Sequence, residues 1–109
     1  MKMIIAIVQD EDAGKLINTL MKEGVSVTKL ATTGGFLRSG NTTLLMGIND
    51  EKVPNVLGII EKACKSRKQT APIPVSPDTY SGAFNAGMVE IVVGGATVFV
   101  LSVDSFVKY

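Results

Sequence analysis

The sequence predicts a one-domain α+β sandwich, a sheet packed against two helices in the order β-α-β-β-α-β with an extra C-terminal hairpin strand. Three observations predict it. Two stretches repeat apolar residues at helical spacing, short β-branched runs lie between and after them, and glycines punctuate the junctions. A chain of 109 residues is one domain's worth. With 46% apolar and 19% charged residues it holds a core without disulfide or metal support.

The first strand is Lys2 to Val8, nearly all apolar and suited to a central position. The run is too short to span a membrane, and Gln9-Asp10-Glu11-Asp12 ends it, so the chain reads as cytoplasmic without membrane insertion. Asp10 or Asp12 is expected to cap the helix that follows, with the acid cluster solvated at its positive end. Ala13, Leu16, Ile17, Leu20 and Met21 form the stripe of that helix, and Gly24 stops it.

Val25 to Ala31 is the second strand and Thr42 to Asn49 the third. In the third, Thr42, Leu44, Met46 and Ile48 share one face, and Thr43, Leu45, Gly47 and Asn49 the other. Asn49 or Asp50 caps a second helix with Pro54 in its first turn and a stripe of Val53, Val56, Leu57, Ile60 and Cys64. Residues 65–87 carry three prolines and few apolar anchors and read as a long loop. Met88 to Val93 and Thr97 to Val103 are the last strands, with Gly94-Gly95 expected to join them in a tight hairpin.

Two right-handed crossovers joined by a hairpin give the split β-α-β, or ferredoxin-like, arrangement. Its two helices cover one sheet face. The last strand is apolar on both sides, so the uncovered face is expected to meet another subunit.

Several chemistries are excluded. There is no histidine for a catalytic triad or metal site, and the lone Cys64 makes neither a disulfide nor a metal cluster. That thiol, on the apolar stripe, reads as a small core residue. No phosphate loop of the Walker type is present, and a net charge of +1 offers no field for a nucleic-acid polymer. No metal, cofactor or enzymatic machinery is expected.

The segment that points to binding is Thr28 to Asn41. Glycines at 34, 35 and 40 let backbone N–H groups approach a ligand, Arg38 and Lys29 offer positive charge, and Thr28, Thr32 and Thr33 add hydroxyls. Asn41 is suited to the N6 and N7 edge of adenine, and Phe36 to stacking on a base, each worth roughly 1–3 kcal/mol. An ordinary glycine-rich loop with Phe36-Leu37 tucked into a core or interface is the competing reading. Gly47 marks either close approach of a ligand or a packing constraint, and Phe99 is either core or a base platform. Lys62, Lys65, Arg67 and Lys68 read as a solvated helix end, with a docking patch for an acidic partner as the alternative.

Three runs carry a resemblance: the opening Met1 to Asp10, then Thr28 to Arg38 with Gly40-Asn41-Thr42-Thr43, and Gly94 to Val100. Together they resemble the PII-like cyclic-di-AMP receptor proteins over nearly the whole chain. The resemblance implies that residues 1–109 are a single PII-like ligand-binding domain, assembled as a homotrimer with a cyclic dinucleotide in clefts between subunits. It implies a signal-transduction role in which ligand reorders the 32–40 loop, the 65–87 loop or both, and so regulates an unknown protein partner. Carried over, the ligand site is Thr28, Gly35, Phe36, Leu37, Asn41 and Gly47, with Phe99 as a further contact. The family pattern has Arg at the position of Ser26 and Gln at that of Lys108, a departure that bears on the choice of ligand. The alternatives are a sensor of ATP or another adenine nucleotide, an acylphosphatase-like enzyme of the same topology, and an RNA-binding module. The enzyme is opposed by the acidic loop after the first strand, and the RNA module by the lack of aromatics on strands one and three.

Overall fold

The computed structural model describes residues 1–30, 40–72 and 88–109. Eight main elements follow in order: β1 (Lys2–Gln9), α1 (Asp10–Lys22), β2 (Thr28–Leu30), β3 (Asn41–Ile48), α2 (Val53–Cys64), β4 (Arg67–Pro72), β5 (Met88–Val93) and β6 (Ala96–Ser102). A single 3-10 turn, Asp50–Lys52, leads into α2.

The apolar run of β1 lies inside a four-stranded sheet of order β2-β3-β1-β6, in which every pairing is antiparallel. This mixed α/β arrangement is compatible with a ferredoxin-like fold. One sheet face is sealed by the helices. Ile4, Ala6 and Val8 of β1 and Leu44, Met46 and Ile48 of β3 pack there with Leu16 and Leu20 of α1 and Val56, Ile60 and Cys64 of α2. The inward set on β3 is the one its alternation predicts. Ile4, Leu16, Leu44 and Cys64 are fully buried, so truncating the larger of them costs about 2–5 kcal/mol. No described helix covers the other face, where Phe99 and Leu101 of β6 are about half exposed.

The expected C-terminal hairpin is not present. Met88–Val93 pairs with Arg67–Pro72 in a separate two-stranded ribbon, while β6 pairs with β1. Gly94 and Gly95, at φ +83 and +95, carry the chain from ribbon to sheet instead of closing a turn. A Cβ on Gly94 would lie 2.9 Å from the Lys65 carbonyl and 3.0 Å from that of Cys64, so only glycine passes the end of α2 here. The stretch 67–72, read as loop because its sequence shows no apolar alternation, is a strand whose pairing with β5 rests on backbone hydrogen bonds. Residues 73–87 of the expected long loop lie outside the described residues.

Three local expectations also change. The second strand begins at Thr28 and not at Val25, because Val25 still belongs to the turn out of α1, donating its N–H to the Leu20 carbonyl at 2.9 Å, and Ala31 lies outside the described residues. Gln9 rather than an aspartate precedes α1, without a side-chain cap, and Asp10 accepts the hydroxyl of Thr42. Nor does the 3-10 turn have a side-chain cap from Asn49; Asp50 meets the Met1 ammonium at 2.9 Å, which holds its carboxyl below the usual range.

Candidate functional site

The open face is organised in rungs. Phe99 on β6, Ile5 on β1, Leu45 on β3 and Thr28 on β2 stand directly opposite one another across the sheet. Neighbouring strands lie about 4.8 Å apart, so Thr28 and Phe99 are about 14 Å from each other along this rung. The next rung joins Gly47 to Met3 and Leu101. Thr28, Asn41, Gly47 and Phe99 therefore share one uncovered face, because odd positions of β3 point there and each opposite residue points the same way.

Thr28 and Gly47 come together in a pocket of 630 Å³. Its floor is the β2–β3 edge with Leu45, and its wall is the segment after β6, including Phe106 and Lys108. This segment crosses from one side of the sheet to the other, tied at its start by the Val103 N–H donating to the Met1 carbonyl at 3.2 Å. Gly47 is exposed, and a Cβ there would meet the Met1 methyl at 3.4 Å, an ordinary contact. Ser26 lines the same pocket, which is otherwise mostly apolar.

Asn41 is elsewhere. It stands opposite Gln9 at the far end of β3, six residues and so about 20 Å from Gly47. There it lines a second pocket of 360 Å³ with Gln9, Gly94 and Thr97. This end is bonded firmly: the Asp10 N–H donates to the Gly40 carbonyl at 2.8 Å, and the Gly94 N–H donates to Gln9 Oε1 at 2.7 Å. Between the two pockets, the hydroxyl of Thr43 on the same face is buried and has no hydrogen-bond partner among the described residues. Gly35, Phe36 and Leu37 lie outside the described residues.

Sequence reasoning passed over Met1, Met3, Thr43 and the wall formed by Ser105 to Val107. The signal for the wall was an apolar pair, Phe106-Val107, beyond the last strand. The acid cluster, expected to be solvated, is in part committed to structure: Asp12 is buried and bound by Arg67 at 2.8 Å. Cys64 is a core thiol as expected, and burial, reinforced by nearby Asp12, pushes its pKa up. Among the described residues no group of three His, Cys, Asp or Glu is placed to hold a metal ion. No described helix is long and apolar enough to cross a membrane.

The described residues form a small α/β domain, an antiparallel sheet shielded by helices on one face with concave pockets on the other. The match to known families runs over residues 1–109 and is to the family described as cyclic-di-AMP receptor. A crystal structure of a functionally unknown protein from Pediococcus pentosaceus ATCC 25745 is 45% identical, with a TM-score of 0.76 over 99% of this chain and 96% of that one. The chain belongs to the cyclic-di-AMP receptor family, a family defined by binding.

Proposed function

We propose that this protein is a cytoplasmic signal-transduction receptor that binds cyclic di-AMP at the interfaces of a homotrimer and, through loop rearrangement, regulates a protein partner. The observation that carries this reading is the separation of Asn41 from Thr28 and Gly47 on one open face. A two-nucleotide ring does not bridge about 20 Å within one chain. Two copies joined through their open faces bring the Thr28–Gly47 end of one toward the Asn41 end of the other. The half-exposed Phe99 and Leu101 supply the apolar area for such contact. In this assembly Thr28 and Asn41 hold adenine and phosphate, Phe36 and Leu37 pack on the bases, Gly47 contributes backbone, and Gly35 completes the site.

Calorimetry against a panel of cyclic dinucleotides and ATP tests the ligand. Cyclic di-AMP is expected to bind at micromolar affinity or tighter, about −8 kcal/mol or better. Asn41→Ala is expected to weaken it by at least about 1 kcal/mol. Stronger binding of ATP would move the assignment to an adenine-nucleotide sensor, and an unchanged Asn41→Ala variant would remove the site.

A further inference from the structure

On the helix side of the molecule, away from the open face, α1 and the end of α2 enclose a shallow pocket of 440 Å³. Its lining includes Lys15, Lys62, Lys65 and Arg67, with Asp12 the one carboxylate. The chain as a whole carries only +1, so this is a local concentration of charge. Arg67 is held in place by buried Asp12, at 2.8 Å, and by the Lys65 carbonyl, at 3.2 Å. Lys15, Lys62 and Lys65 are exposed and take part in none of the ion pairs among the described residues.

The geometry points to this patch as the docking surface for an acidic segment of a partner protein. Charge complementarity names the partner's chemistry. The form of the site chooses a polypeptide over a compact phosphate. The pocket lies between the first turns of α1, which supply Asp12 and Lys15, and the C-terminal end of α2, whose negative pole is offset by Lys62 and Lys65. Three ammonium groups on long stems, spread over two helices, suit carboxylates spaced along a chain. Assembly through the open sheet face leaves the patch in water. It also lies at the root of the β4–β5 ribbon, where Arg67 begins β4 and Gly94 ends the return from β5.

The test uses the full chain and a labelled peptide of about ten glutamates, followed by fluorescence anisotropy at about 50 mM and about 300 mM salt. The parent and the charge-matched control K22A/K52A are expected to bind alike, and K62A/K65A at least about fivefold more weakly, with binding reduced at the higher salt. Carbodiimide cross-linking of the peptide, mapped by mass spectrometry, is expected to fall on Lys15, Lys62 and Lys65. Equal loss in both double variants, cross-links centred elsewhere, or no binding by the parent would overturn the proposal. Inorganic triphosphate binding the parent more tightly than the peptide, and losing affinity in K62A/K65A, would overturn the polypeptide assignment.

Discussion

Arg67 and Asp12, 55 positions apart in sequence, meet through two hydrogen bonds, Nη2 to Oδ1 at 2.8 Å and Nη1 to Oδ2 at 3.4 Å. The carboxylate is 7% exposed and the guanidinium 45%, so one partner is buried and the other reaches water. The pair fastens the start of the ribbon to the first turn of α1, and donating hydrogen bonds to the Asp12 carboxylate raises the pKa of Arg67.

Removing only the cation strands a buried carboxylate. Arg67→Met is expected to lower the urea midpoint, by less than the loss of a fully buried pair would because water screens the outer half. Asp12→Asn in the same chain is expected to recover part of this loss. Urea unfolding of the single and double variants measures both effects, and equal stability of parent and Arg67→Met would show that the pair contributes nothing.

Gly94 and Gly95 separate two costs. Both have positive φ, but the added Cβ meets backbone only at Gly94. Gly95→Ala is expected to lose about 1 kcal/mol from conformation alone, and Gly94→Ala at least about 2 kcal/mol because backbone must also move. Thermal melts are expected to fall by about 4 °C per kcal/mol, with Gly94→Ala the lower of the two.

Cys64 links pH to stability with a definite sign. Its folded pKa lies above the ordinary 9.0 because burial disfavours the thiolate. As pH rises past that value the unfolded chain loses its thiol proton first, so this contribution to stability is complete below pH 9.0 and declines above it. Denaturant midpoints are expected to drop more between pH 8 and 10 in the parent than in Cys64→Ala. Iodoacetamide is expected to label the parent only on unfolding; rapid labelling of the native protein at pH 8 would refute the buried thiol.

Phe99 tests the role of the open face. Phe99→Glu replaces a half-exposed ring whose removal opens no cavity in the helix-covered core, so the subunit is expected to keep its stability within about 0.5 kcal/mol of the isolated fold. Sedimentation is expected to show a homotrimer for the parent and a monomer for the variant. A variant that stays assembled would mean that subunits do not meet through this face.

The sequence by itself determined what depends on short-range pattern. The stripe on α2, the stripe on α1 except for Met21, which is exposed, the inward set Thr42, Leu44, Met46 and Ile48 on β3 and the core place of Cys64 were legible there, because periodicity directly encodes which side of an element is buried, and the family was legible from its three runs. Tertiary structure alone decided which strands pair, since every backbone offers the same donors and acceptors and Met88–Val93 carries no local mark that prefers Arg67–Pro72 to β6. It alone brought Asp12 to Arg67. It also set Thr28 beside Gly47 and away from Asn41, turning a run of candidate residues that looks continuous in sequence into two pockets at opposite ends of one face.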